Sequence, residues 1–106
     1  MDKAVKAKVL DELGGIPESV YDELVGDFVV QAKEQAMQIR SLLSKGDRTQ
    51  AAAVLHSLKG CSANLRIAEV HALSHELEQA VKRGAADQEL GPMLEKLESL
   101  IAGVTA

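Results

Sequence analysis

The sequence predicts an all-α fold, an antiparallel up-down four-helix bundle with a short additional N-terminal helix. Apolar residues recur at three- and four-residue steps in successive stretches, and glycines and prolines leave only short loops between them. The composition is 46% hydrophobic but 2% aromatic, so the core must be aliphatic, which suits packed helices better than sheets. At 106 residues we expect one domain, with an N-terminal helix and turn over residues 1–15 and the bundle over residues 16–104.

The first two helices are separated by Gly14, Gly15 and Pro17. Residues 2–13 predict a short helix with one apolar side formed by Val5, Val9, Leu10 and Leu13. Pro17 suits a first helical turn, and a long amphipathic helix is predicted from about residue 18 to residue 44, ending at Gly46. Its apolar stripe is Tyr21, Leu24, Val25, Phe28, Val29, Ala32, Ala36, Ile39 and Leu43.

Three further helices complete the bundle. Asp47 and Gln50 form a capping pair that predicts a helix over about residues 48–65. The next helix, about residues 68–83, ends at Gly84, and the last spans about residues 88–104. Their predicted buried residues are Val70, Leu73, Leu77, Ala80 and Val81 in the first, and Leu90, Met93, Leu94, Leu97, Leu100 and Ile101 in the second.

Composition and charge exclude several classes of function. Twelve basic against sixteen acidic residues give a net charge of -4, and no basic stripe with interleaved aromatics is present, so we expect no nucleic-acid partner. No apolar run approaches the roughly 20 residues of a membrane span, and the N-terminal stretch lacks the apolar centre of a signal peptide. A single cysteine, Cys61, excludes an internal disulfide. We therefore expect a cytoplasmic protein without membrane contact.

His56 is predicted to face solvent. With about 100° per helical residue and Leu58 as the buried reference, His56 points about 160° away from the core. Most of its neighbours one or two turns along the helix are small, namely Ala52, Ala53, Gly60 and Ala63. A mid-helix glycine costs about 1 kcal/mol relative to alanine, and access of another molecule to His56 is a reason to accept that cost at Gly60.

An exposed histidine beside Lys59 indicates phosphoryl transfer. A neutral imidazole is a good nucleophile near physiological pH and forms covalent intermediates. Phosphoryl transfer requires mainly positioning and positive charge near the phosphoryl oxygens, which Lys59 can supply. No further metal-ligating side chain lies one turn from His56, so no metal is expected there.

The segment LHSLKGCSANL resembles the signature of histidine-containing phosphotransfer (HPt) domains, approximately His-x-x-Lys-Gly-Ser-Ser-Ala-x-Leu-Gly. The matching positions are His56, Lys59, Gly60, Ser62, Ala63 and Leu65. The similarity extends to the preceding long helix and to the following one, and covers nearly the whole chain after Ile16. Cys61 and Arg66 depart from the signature; Arg66 replaces a glycine at a turn, which suggests either a differently closed turn or a partner-specific charge.

The resemblance implies a phosphorelay intermediate in two-component signalling. His56 would accept a phosphoryl group from a receiver-domain aspartate and pass it to another receiver, so the expected partners are response-regulator receiver domains, with a hybrid sensor kinase as a further candidate. No cofactor of its own is expected, and Mg²⁺ is expected in the receiver. We also expect a monomer, because the apolar stripes are used by the core and the histidine face must stay open. The predicted partner-binding rim consists of Ala52, Ala53, Ala63, Arg66, Glu78 and Lys82.

Other functions receive less support from the sequence. His71, His75, Glu78 and Lys82 form one stripe, but two histidines and one carboxylate are an incomplete metal set, so a solvated polar face is predicted. No glycine-rich nucleotide loop is present, so the chain is not expected to phosphorylate itself from ATP. The alternative that stays open is a non-catalytic helical adaptor that binds a partner protein.

Overall fold

The computed structural model describes residues 1–106 and contains five helices and no strands. The helices are α1 (Lys3–Glu12), α2 (Glu18–Ser44), α3 (Arg48–Asn64), α4 (Ala68–Lys82) and α5 (Asp87–Ala102). All five were predicted from the sequence, and their observed ends lie within two residues of the predicted ones. The all-α prediction is therefore confirmed.

Helices α2 to α5 form a closed ring in which each packs against the next and α5 returns to α2. The connections are short, covering residues 45–47, 65–67 and 83–86. Such loops force consecutive helices to run antiparallel, which gives the up-down bundle. The molecule measures 42 × 20 × 19 Å, and its long dimension is close to the roughly 40 Å expected for the 27 residues of α2.

The helix ends follow from local backbone chemistry. The Asp47 carboxylate accepts a hydrogen bond from the Gln50 backbone N–H at 3.1 Å and so caps α3 as predicted. Gly46 and Gly84 adopt φ angles of 77° and 78°, a conformation that costs side-chain-bearing residues more, and they end α2 and α4. These glycines set the points at which the chain reverses.

The main core is aliphatic, as the composition predicts. Phe28 is its one aromatic residue, and the remaining buried side chains come from all four bundle helices and the adjoining turns. The fully buried members with the largest side chains are Ile39, Leu55, Leu58, Leu77, Leu90, Leu97 and Ile101. None of the five helices combines the length and the apolar character that a membrane span requires.

Helix α1 packs at the end of the bundle where α3 turns into α4. A second small core joins Val9 to Tyr21 and Val25 of α2. The buried Tyr21 hydroxyl donates to the Leu65 backbone carbonyl at 2.6 Å, which ties α2 to this turn. Burial raises the pKa of the Tyr21 phenol, because it disfavours the charged phenolate.

Two residues of the predicted apolar stripes lie outside the core. Val5 is 50% exposed and Leu24 is 43% exposed. Helix α1 packs mainly through Val9 and the apolar residues that follow it, which leaves Val5 in solvent. Leu24 lies 100° around α2 from the buried Val25, beyond the stripe that the bundle covers.

Candidate functional site

His56 lies on the outside of α3, and 69% of its side chain is exposed. Ala53 and Gly60 are exposed beside it, and an added Cβ at Gly60 would meet no atom within 4 Å. The helical count therefore placed the imidazole correctly. The ring is reachable by a second molecule, and Gly60 leaves open space one turn away.

The buried Glu78 of α4 contacts the same histidine on the side that faces the protein interior. Its side chain is only 1% exposed, and one carboxylate oxygen, Oε2, lies 3.1 Å from His56 Nδ1 and 3.0 Å from Lys82 Nζ. The other oxygen, Oε1, accepts from Lys59 Nζ at 2.7 Å. A buried carboxylate is thus surrounded by two ammonium groups and one imidazole.

Glu78 is ionised at neutral pH. Burial by itself would raise the pKa of this carboxyl, but the hydrogen bonds from Lys59 and Lys82 outweigh burial and lower the pKa to about 2. An ionised carboxylate only accepts hydrogen bonds, so His56 Nδ1 must carry the proton that it donates to Oε2. In a neutral ring the other nitrogen, Nε2, then keeps its lone pair and is the one that can act as a nucleophile.

Two predicted site residues, Lys59 and Ala52, lie mostly out of solvent. The Lys59 side chain is only 20% exposed, and its charge is directed at Glu78; Ala52 belongs to the core. Both residues lie 100° to 120° around α3 from Leu58, on the side that α4 covers. A helix at the corner of a bundle is covered by two neighbours, so its buried arc is wider than a count around one residue implies.

The stripe on α4 is not the solvated polar face that the sequence predicted. Glu78 is buried, and His71 is half-buried with Nδ1 3.1 Å from the Lys59 carbonyl oxygen; only His75 and Lys82 are exposed. No group of three or more His, Cys, Asp and Glu side chains is placed to hold a metal ion. Glu78 is therefore not an exposed rim residue, and its carboxylate contacts His56 instead.

The sequence contained a signal for the Glu78 contact that the helical count missed. His56 lies ten residues before Arg66, in the turn, and Glu78 lies twelve residues after it. In an antiparallel helix pair, residues at similar distances from the turn lie at the same height along the two axes. The contact between His56 and Glu78 could therefore have been predicted by comparing the distances of residues in α3 and α4 from the turn at Arg66.

Arg66 does not produce a differently closed turn. Its φ angle is 61°, and the Ile67 N–H donates to the Ser62 carbonyl at 2.9 Å, as in a glycine-type helix end. The guanidinium secures this conformation by donating to the Ala63 carbonyl at 2.9 Å and to Glu12 of α1 at 3.2 Å. Arg66 is about 15 Å along α3 from His56, counting 1.5 Å per residue, so it lies toward the α1 end of the bundle.

A groove of about 650 Å³ lies beside His56, between α3 and the end of α4. Its lining includes His56 and Glu78, together with Arg48, Thr49, Ala52, Ala53, Val81, Lys82 and Gly84. Of the predicted rim, Ala52, Ala53, Glu78 and Lys82 line this groove, whereas Ala63 and Arg66 lie outside it. A partner that reaches His56 would also meet the groove.

The Hpt domain family matches residues 23–106, which is most of the chain. The match begins in the second turn of α2 and continues to the last residue. The chain belongs to the Hpt domain family. Neither a curated protein nor a solved structure matches it. Hpt domains serve phosphotransfer in two-component signalling and interact with receiver domains. Helix α1 lies before the matched region, which is the four-helix bundle that carries His56 and Glu78.

Proposed function

We propose that this Hpt domain is a phosphorelay intermediate that moves a phosphoryl group from one receiver domain to another through Nε2 of His56. One observation carries the proposal: the imidazole is exposed, and its Nδ1 is 3.1 Å from a buried, ionised Glu78. The exposed nitrogen is therefore the unprotonated one, in the position that an incoming phosphoryl group can reach.

The transfer step balances with these residues alone on the Hpt side. The Nε2 lone pair attacks the phosphorus of the receiver's aspartyl phosphate, an Nε2–P bond forms, and the P–O bond to the aspartate breaks. The aspartate leaves as a carboxylate, and the ring becomes a phospho-imidazolium that keeps the proton on Nδ1. Glu78 stabilises that positive ring, as a buried carboxylate does for a catalytic histidine in hydrolases. The reverse step hands the phosphoryl group to the next aspartate.

The two lysines have different tasks in this mechanism. Lys59 is largely buried and keeps Glu78 ionised, a task that replaces the direct contact with phosphoryl oxygens predicted from the sequence. Lys82 is exposed and shares the Glu78 oxygen with His56, so its ammonium group is available to the phosphoryl oxygens. Positive charge is then present at the site in both states of the histidine.

The partners supply the remaining chemistry. The receiver provides the aspartate and the Mg²⁺ that supports it, and this chain needs no cofactor of its own. We further propose that the domain acts as a cytoplasmic monomer, because a receiver must cover the face that surrounds His56. The receiver can belong to a response regulator or to a hybrid sensor kinase.

Labelling of His56 tests the proposal. Mixing the protein with a phosphorylated receiver domain should give acid-labile, alkali-stable phosphate on wild type and none on His56→Gln, with unchanged helical circular dichroism because the side chain is exposed. His75→Gln, which removes another exposed histidine, is the matched control and should label as wild type does. Stable receiver binding with no labelling of His56 would favour the adaptor function instead.

A further inference from the structure

The groove beside His56 combines an apolar base with cationic edges. Ala52 and Val81 are buried within it, and Arg48 and Lys82 contribute its positive charges. Against these two cations the lining contains one carboxylate, Glu78, which Lys59 also neutralises. The groove is thus locally positive on a chain whose net charge is -4.

Both cations have hydrogen-bond donors to spare. Arg48 Nη1 is buried and has no acceptor, and Nη2 makes only a 3.4 Å contact with the exposed carboxylate of Asp87. A guanidinium carries five N–H donors and an ammonium group three, and Lys82 directs one of its donors at Glu78. The side chains of Arg48 and Lys82 are 34% and 55% exposed, so their donors other than the buried Nη1 are suited to a carboxylate that arrives from outside.

We propose that this groove receives an acidic segment of the receiver partner, and that Arg48 and Lys82 select receivers that carry one. The inference rests on the proposed function and specifies which partner surface fits. Arg48 lies eight residues before His56 on α3, about 12 Å along the helix, so the segment lies beside the reacting atoms rather than among them. An acidic segment is repelled by the chain's net charge elsewhere and attracted here, which fixes the orientation of docking.

The test compares Arg48→Gln with Arg40→Gln. Arg48 is preferred to Lys82 because Lys82 contacts Glu78, so its loss would also disturb His56. Arg40 pairs with Glu98 between α2 and α5, outside the groove, and its replacement removes the same charge. Phosphotransfer from a receiver that labels wild type is measured over receiver concentration at low and at high salt, with phosphoramidate as a small donor that needs no docking.

The expected result is specific to Arg48. Its change to Gln should raise the receiver concentration for half-maximal rate about 5- to 10-fold at low salt, less at high salt, and leave the phosphoramidate reaction unchanged. Arg48→Lys, which keeps the charge, should retain most of the wild-type rate, and Arg40→Gln should match wild type.

Three results would overturn the inference. Equal losses in Arg48→Gln and Arg40→Gln would show a general charge effect, and a slower phosphoramidate reaction would place the effect of Arg48 at His56 itself. In either case the proposed function would stand. If no receiver labels wild-type His56, the proposed function fails and the inference fails with it.

Discussion

The two flanks of α3 beside His56 are built differently. The flank toward α4 is covered, and there Lys59 and Glu78 form a buried ionic contact. The flank toward α2 is open, with Gly60 unobstructed and Ser57 accepting a hydrogen bond from Gln35 at 3.3 Å in an exposed position. In the proposed mechanism the two flanks meet two requirements: the open flank gives a partner access, and the covered flank fixes which ring nitrogen reacts.

The same difference determines how much each flank contributes to the free energy of unfolding. Exposed polar contacts contribute at most about 1 kcal/mol, because water competes for both partners. A buried charge that loses its partners costs several times more. Changes on the α4 side should therefore lower stability and affect chemistry together, whereas changes on the α2 side should affect access and alter stability only slightly.

The largest effect is expected for Glu78→Ala. Removing the carboxylate leaves the largely buried Lys59 ammonium without its partner, so we expect a loss of about 2–4 kcal/mol in the free energy of unfolding, measured in urea. The labelling rate with phosphoramidate should also fall, because Nδ1 loses the acceptor that holds its proton. Glu89→Ala breaks an exposed pair with Arg83 and should cost much less, because water screens both charges. Similar losses in both variants would contradict the buried network.

The pH dependence of stability gives a second test of the covered flank. The pKa of Glu78 is lowered from 4.5 to about 2, so its contribution is present above pH 4.5 and is lost as the pH falls toward 2. A shift of this size corresponds to about 3 kcal/mol. Between pH 6 and pH 2, wild type should therefore lose about that much more stability than Glu78→Gln does. Parallel pH profiles for the two proteins would contradict the contribution of ionised Glu78 to stability.

A smaller effect, of opposite sign, is expected on the open flank. Gly60→Ala should raise the free energy of unfolding by up to about 1 kcal/mol, and Gly60→Gln by less, because the position is helical and unobstructed. Transfer from a receiver should fall as the side chain grows, while phosphoramidate still labels His56. Gly26, exposed in α2 and equally unobstructed, is the matched control, and Gly26→Gln should leave transfer unchanged. Receiver transfer at the wild-type rate in Gly60→Gln would mean that Gly60 does not serve access.

The fold and the exposed part of the site were predictable from the sequence. Helix bounds follow from local signals, such as the Asp47 cap and the glycine at residue 84, which do not depend on how the helices pack. The exposure of His56 follows in the same way, because it lies almost opposite Leu58 on a regular helix.

The covered flank depends on packing between helices, which a count along one helix does not contain. Glu78 looks like a surface residue on α4 taken alone, and Lys59 looks like one on α3 taken alone. Each lies at the edge of the apolar face of its own helix, on the side that the other helix covers. The packing of α3 against α4 therefore buries Glu78 and largely buries Lys59. The turn at Arg66 could not be predicted for a different reason: its guanidinium bonds to Ala63 and Glu12 support a backbone conformation that usually requires glycine.

The protonation state of His56 is the most direct test of the account. Nitrogen-15 NMR of the imidazole in the unphosphorylated wild-type protein, at a pH where the ring is neutral, reports which nitrogen carries the proton. The contact with ionised Glu78 predicts a protonated Nδ1 and an unprotonated Nε2, and phosphorylation by phosphoramidate should then occur at Nε2. A neutral ring with its proton on Nε2, or a phosphoryl group on Nδ1, would contradict the claim that the covered flank sets the reactive nitrogen.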